Sequence, residues 1–272
     1  MKSSTIFCLT LNPDHEKLIK KLSYIPVGLG DKRFSKECFD DKRNLNIANK
    51  NPYYGEYTFH YWVWKNFLDK IDTKWIGFCQ YRKFFLKKNI LNKNIDFDIF
   101  SSSLLKDRDI NDYENFECIL GNTFSVENYK LSKIFKNHLS SFILNPTLFF
   151  NKKKRNLKFH FDLFHGKGNL EFAINLLDEK DKNNFRDFMN TKTAFNPHNM
   201  FICKKEILKS YYEVVFPWLE KCENYFGFND LQGYGLQRIY GFLAERFLSY
   251  WFTKYYKFKE LPIIFKDISD YK

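Results

Sequence analysis

The chain has 272 residues, 44% of them hydrophobic and 20% aromatic, with 44 Lys and Arg against 32 Asp and Glu for a net charge of +12. That composition excludes a disordered chain and supplies enough apolar material for a sizeable core. The positive balance favours anionic partners such as nucleotides, lipid headgroups or nucleic acid, and does not by itself choose among them. The six cysteines (Cys8, Cys38, Cys79, Cys118, Cys203, Cys222) form no CxxC pair, and Cys8 and Cys79 lie in apolar runs. They read as buried free thiols of a reducing compartment. The N-terminal apolar run is too short for a signal peptide and no window reaches membrane-spanning length, so the expected location is cytoplasmic.

Thr5 to Leu11 is a β-branched and apolar run, expected as the first strand of a central sheet. Asn12-Pro13-Asp14 turns the chain into a helix ending near Leu22. Gly28 and Gly30 follow, and either allow a ligand close to the backbone or simply form a turn. Residues 31–53 are polar and irregular, a length of connection usually reserved for functional or mobile segments. Glu56 to Leu68 has helical spacing through Phe59, Trp62, Val63 and Phe67, with Glu56 in the first turn, where a carboxylate suits the helix dipole. Lys74 to Cys79 then reads as a strand emptying into Gln80-Tyr81-Arg82-Lys83, and open α/β sheets place ligands at such strand ends.

Asp96-Phe97-Asp98 has the form of a metal-holding DxD, but no apolar strand leads into it, so Asp96 and Asp98 are weak metal candidates. Phe116 to Leu120 is a second buried strand, and residues 126–143 have helical periodicity. Lys152, Lys153, Lys154 and Arg155, flanked by aromatic residues, form either a solvated loop or a contact with an anionic membrane surface. His160 and His165 are five apart, which does not suit two ligands on one helical face, and no zinc site is expected. Phe195 to Cys203 reads as a strand entered from a turn that carries His198 and Asn199. A helix from Lys205 to Phe226 is expected to be interrupted at Pro217. The last helix, from about Gln232 to Tyr256, is apolar except for Arg238, Glu245 and Arg246, which either snorkel or pair inside a site. Without repeats or a linker, one domain over 1–272 is expected, with a donor-binding part to about residue 125 and a helical acceptor and catalytic part beyond it.

The stretch Asn44 to Phe85, with its Tyr61-Trp62-Val63-Trp64-Lys65-Asn66 helix and Ile76-Gly77-Phe78-Cys79-Gln80-Tyr81-Arg82-Lys83-Phe84-Phe85, resembles a bacterial capsule and O-antigen polysaccharide-synthesis family formerly catalogued only as a domain of unknown function. Tyr24 to Gly28, Asn199 to Ile202 and Arg238 to Arg246 match in the same order, so the resemblance runs from about residue 24 to 265. Members with an assigned role are galactofuranosyltransferases. The resemblance implies a GT-A-like α/β fold, a mixed sheet flanked by helices with a helical C-terminal part. It implies a UDP-galactofuranose-type donor, with or without N-acetylation, and a growing or lipid-linked capsule or O-antigen glycan as acceptor. Two positions depart from the family: its His is Gln80 and its second Arg is Lys83. Gln80 hydrogen-bonds but takes up no proton, and Lys83 keeps the charge without the bidentate fork.

On this reading Gly28, Asn49, Asn51, Glu56, Gln80, Tyr81, Arg82 and Lys83 bind the donor, with Arg82 and Lys83 supplying the charge that a metal gives in related enzymes; no cofactor is expected. His198, Asn199, Arg238 and Arg246 serve the acceptor or support the site. An inverting transfer needs a carboxylate base. Asp230, placed as the base is in other inverting GT-A enzymes, and Glu245 are the two candidates, with Glu56 a third. The competing readings are transfer of another sugar in the same pathway and a basic nucleic-acid-binding module. The dispersed basic residues and absent RNA-binding motifs speak against the second.

Overall fold

The computed structural model describes residues 3–90, 95–127 and 155–271. Among these residues a nine-stranded mixed sheet forms the middle of the molecule. Its strands, with a separate short pair, are β1 (Ser4–Thr10), β2 (Ile25–Gly28), β3 (Phe39–Asp40), β4 (Trp75–Gln80), β5 (Lys83–Phe85), β6 (Cys118–Gly121), β7 (Phe124–Ser125), β8 (Ala194–Phe195), β9 (Phe201–Lys204), β10 (Phe258–Leu261) and β11 (Ile263–Phe265). The order across the sheet is β10-β6-β9-β4-β1-β2-β3, with β5 and β11 added at the end of β4, while β7 and β8 pair apart from it. Strands β4, β1, β2 and β3 are parallel, and β9 runs antiparallel to both its neighbours, β4 and β6.

Both faces of the sheet are covered, which is why its strands read as apolar runs rather than alternating ones. Phe7, Leu9, Ile76, Phe78, Phe201 and Cys203 point into a core shared with the helices Tyr57–Trp62, Lys205–Phe226 and Ile239–Tyr255. Ile6, Cys8, Trp75, Cys79, Ile119 and Ile202 face the opposite side, against Leu22, Phe84 and Phe100. All six cysteines are buried and free.

Several elements differ from the sequence reading. The polar stretch 31–53 contains β3, a 3-10 turn at Ala48–Lys50 and a short helix Asn51–Tyr54. Helix Lys205–Phe226 runs through Pro217 without a break, since Tyr212, Val215 and Phe216 before it and Trp218, Leu219 and Cys222 after it are buried and hold both halves in line. Asp96 caps the helix Phe97–Ser103, its carboxylate accepting the Ile99 amide at 2.8 Å, and Asp98 is exposed in the first turn. The DxD is therefore a helix start rather than a strand end. Arg155 is 6% exposed and donates to the Glu127 carbonyl at 3.1 Å, so its guanidinium is turned inward and is not available to a membrane surface. Lys152, Lys153, Lys154 and most of the periodic segment 126–143 lie outside the described residues. Among the described residues no helix is long and apolar enough to cross a membrane.

Burial disfavours the charged form of several histidines of the core. His60 lies against Phe78 with ring centroids 4.1 Å apart, and its Nδ1 pairs with the Tyr212 hydroxyl at 2.7 Å. Burial holds His60 down to about 3, and burial together with the Arg246 charge holds His160 to about 2 and His165 to about 3. The unfolded chain takes up these protons near pH 6.5, so their contribution to stability is complete above that pH. It falls by about 1.4 kcal/mol per pH unit per histidine below it, until the folded pKa is reached. Urea unfolding is expected to show a midpoint well below its pH 7 value at pH 5, with uptake of about four protons on unfolding, the fourth by His198, which burial also holds down to about 3. A midpoint flat across that range would contradict the burial of these rings.

Candidate active site

Parallel strands carry their C-terminal ends to one edge of a sheet, and the register here aligns Leu9 with Gln80 and Thr10 with Gly28. Two clefts open at this edge. The first, of about 100 Å³, is lined by the strand ends Leu9, Thr10, Leu11 and Leu29, by Asn51 and Gly55, and by Tyr81 and Arg82. The second, of about 140 Å³, is lined by Lys83, His198, Asn199, Tyr234, Phe242 and Glu245. Glu56 and Arg238 line both, and their side chains meet at 3.6 Å on the boundary.

The Gln80 to Lys83 turn divides its side chains between the two clefts. Gln80 pairs with Lys83 across the β4–β5 hairpin, so Tyr81 and Arg82 form the tip and line the first cleft while Lys83 returns into the second. The tip is braced from behind by the C-terminal segment, with the Ile268 amide on the Tyr81 carbonyl at 3.2 Å and the Lys266 amide on the Arg82 carbonyl at 3.0 Å. Arg82 is exposed and lies over the Tyr81 ring at 4.8 Å, and that ring rests 5.0 Å from His15. Hydrogen bonds to the hydroxyls of Thr10 (2.8 Å) and Ser269 (2.7 Å) fix His15 in turn. Burial pulls Lys83 below the usual lysine range, and the nearby Glu56 and Glu245 charges partly restore it.

Gln80 donates from one amide nitrogen to the Glu56 carboxylate and, at 3.0 Å, to the His198 carbonyl. A single imidazole N–H serves one acceptor, so glutamine suits this bridge between two oxygens. His198 and Asn199 both have left-handed backbones, φ 81° and 54°, a conformation that persists where the surroundings enforce it. Here the C-terminal helix enforces it: the His198 amide donates to Glu245 at 2.5 Å, and the other Glu245 oxygen is 2.5 Å from Arg246. Arg246 is 2% exposed, lies 3.5 Å over the Phe195 ring, and has His160 Nδ1 3.3 Å from its guanidinium. Burial and the Lys83 charge hold His198 down to about 3, which keeps it neutral in the cleft. Asn199 turns its nitrogen to the Gly241 carbonyl at 3.4 Å, and its Oδ1 is buried with no hydrogen-bond partner among the described residues.

The structure thus gathers Asn51, Glu56, Gln80, Tyr81, Arg82, Lys83, His198, Asn199, Arg238 and Glu245 around one edge, with Arg246 behind Glu245. It leaves three sequence candidates outside. Gly28 sits under the Phe34 ring, so its missing side chain makes room for packing and Leu29 takes its place in the cleft. Asn49 is exposed on the 3-10 turn and lines neither cleft. Asp230 is exposed between Gly227 and Gly233, two left-handed glycines, and also lines neither. Gly55 carries no local sequence signal for its positive φ of 58°, and a Cβ there would collide with the Arg238 guanidinium. Among the described residues no group of three or more His, Cys, Asp or Glu side chains is placed to hold a metal ion. The carboxylates of the second cleft, Glu56 and Glu245, already contact Gln80, Arg238, Arg246 and the His198 amide.

Residues 9–257 match the model of a family described as a domain of unknown function, DUF4422. The chain belongs to that family. Among solved structures, the DUF4422 chain is similar to the apo form of WbbM, a bifunctional glycosyltransferase, with a TM-score of 0.70 and 21% identity over 97% of its length. It spans 45% of that longer chain. This likeness concerns the fold, a GT-A-like mixed sheet flanked by helices. Core-mannan synthase A from Aspergillus fumigatus in its Mn/GDP form (TM-score 0.29, 14% identity, 90% of this chain and 67% of that one) is more distant. The mannosyltransferase Ktr4p from S. cerevisiae is similarly far (TM-score 0.32, 13% identity, 82% and 61%). No curated protein matches the chain.

Proposed function

We propose that this DUF4422 chain is an inverting glycosyltransferase that moves a galactofuranosyl-type sugar from a UDP-sugar to a growing capsular or O-antigen glycan. The observation that carries the proposal is the divided turn at the sheet edge: Arg82 faces one cleft, Lys83 the other, and Glu56 stands where the two meet. The first cleft, with apolar strand ends on one side and Arg82 on the other, suits a nucleoside diphosphate. The second, in which Lys83 and Arg238 are matched by Glu56 and Glu245, suits an uncharged sugar. An acceptor hydroxyl entering there attacks the anomeric carbon, its proton passes to Glu56, and the bond from the sugar to the β-phosphate breaks. Arg82 takes up the negative charge that grows on the leaving UDP, as a preorganised cation does in other transfers of this kind.

Arg82→Ala is expected to lower turnover about 100-fold, and EDTA to leave the wild type active. Near-normal turnover in Arg82→Ala, or abolition by EDTA, would defeat the charge assignment. Thermal shifts with UDP, UDP-galactofuranose, UDP-galactopyranose and a single-stranded oligonucleotide test the ligand class. Stabilisation is expected from the UDP compounds, most from the furanose form, and stabilisation by the oligonucleotide alone would return the nucleic-acid reading.

A further inference from the structure

The segment from Lys50 to Glu56 contributes Asn51, Gly55 and Glu56 to the clefts, and Lys50 and Tyr54 to a separate groove. This groove has a volume of about 330 Å³, more than twice that of either cleft (100 and 140 Å³). Its wall is aromatic. Phe216 stacks on Trp64 with centroids 5.3 Å apart and planes 9° from parallel, and meets Tyr61 edge-on at 5.3 Å. A five-residue π-helical turn, Val63–Phe67, carries Trp64 and Lys65 into this position. Such turns are rare and concentrate at functional sites.

The polar part of the lining decides what the groove fits. Lys50 and Lys65 are balanced by Glu220 and Glu223, so the groove offers no net charge to a phosphate backbone or an anionic membrane. Glu223 is already satisfied by Lys50 at 2.6 Å and by the Tyr54 hydroxyl at 2.8 Å. Glu220 and Asn224 remain as hydrogen-bonding groups beside the aromatic wall. Aromatic surface with mixed, charge-balanced hydrogen-bonding groups is complementary to a neutral sugar, which has an apolar C–H face and a rim of hydroxyls. The Lys65 ammonium sits 3.2 Å over the Trp64 ring, on an exposed side chain that is free to swing aside.

We propose that this groove binds neutral oligosaccharide and, given the transferase reading above, holds the acceptor chain beyond the sugar that enters the clefts. Tryptophan fluorescence of the full chain, titrated without UDP, tests it. The probes are galactose-, glucose- and mannose-based oligosaccharides of about two to six residues. At least one series is expected to saturate at low millimolar concentration, with longer members tighter. Trp64→Ala should abolish the response while UDP binding persists. Glu220→Ala, an exposed change that leaves the aromatic wall in place, should weaken it, with binding followed by saturation-transfer NMR. Lys65→Ala should tighten binding about threefold by uncovering the ring. The proposal falls if no series saturates below about 10 mM, or if Trp64→Ala and Glu220→Ala bind like wild type. Because no donor or turnover enters this readout, its failure leaves the Arg82 test untouched. Conversely, oligosaccharide binding without any UDP binding would remove the transferase reading and keep the groove.

Discussion

Glu56→Gln is expected to cut turnover by about 1,000-fold while leaving UDP affinity within about threefold of wild type. The expectation rests on a comparison of three carboxylates. Glu245 has both oxygens engaged, one by the His198 amide and one by Arg246, each at 2.5 Å, and its side chain is only 11% exposed. A base so held would have to give up a buried ion pair in order to accept a proton. Asp230 is exposed in the loop between Gly227 and Gly233 and faces neither cleft. Glu56 lines both clefts, is 23% exposed, and keeps Oε2 at 3.6 Å from Arg238, too long for a strong hydrogen bond. The amide variant preserves shape and the contact with Gln80 while removing the basic oxygen, so binding and turnover should separate. If Asp230→Asn gives the loss and Glu56→Gln does not, the base belongs to the loop and the loop must close over the clefts during reaction.

The second large effect concerns stability. Arg246→Ala is expected to destabilise the fold by about 3–5 kcal/mol, seen as a lower urea midpoint and a Tm lowered by about 10 °C. Burial disfavours the Arg246 charge, and the adjacent Glu245 carboxylate restores it, so each charge depends on the other. Removing the arginine strands a buried carboxylate and leaves a void over Phe195. Arg246→Met with Glu245→Gln, which neutralises both partners at similar volume, should recover much of the loss, because a matched neutral pair avoids the uncompensated charge. Its activity should stay low, since the His198 amide would then meet an uncharged acceptor and the strained turn would lose its clamp. Wild-type stability in Arg246→Ala would show that the pair has no role in holding the core.

Much of this arrangement is legible in the chain because the parallel strands are buried on both faces. Thr5 to Leu11 and Lys74 to Cys79 announce themselves as apolar runs, and the exit of the second locates the clefts. β3 is not legible: Phe39 and Asp40 sit in a polar stretch and become a strand only by pairing with Val27 and Gly28. The adjacency of Arg82 and Lys83 in sequence suggested a joint task, but hairpin pairing of Lys83 with Gln80 sends the two cations to different clefts. For Glu245 and Arg246 the chain left open whether they snorkel or pair, and the 2.5 Å contact shows pairing. The direction of Asp230 had no local signal at all, since the glycines on either side permit many courses of the backbone.

Strand β9 carries a consequence for how the molecule is made. It lies between β4 and β6, so the sheet strands of the first 125 residues touch across its middle only through a strand that begins at Phe201. During synthesis the ribosome emits β4 and β6 long before the strand that joins them, and their facing edges stay unpaired for that interval. A fragment ending near residue 125 would keep the Gln80 to Lys83 turn on β4-β1-β2-β3, but β6 would be detached and the turn would lose its braces from Lys266 and Ile268. The first cleft therefore matures late, because Arg238 and the bracing segment at Lys266 and Ile268 come from the end of the chain.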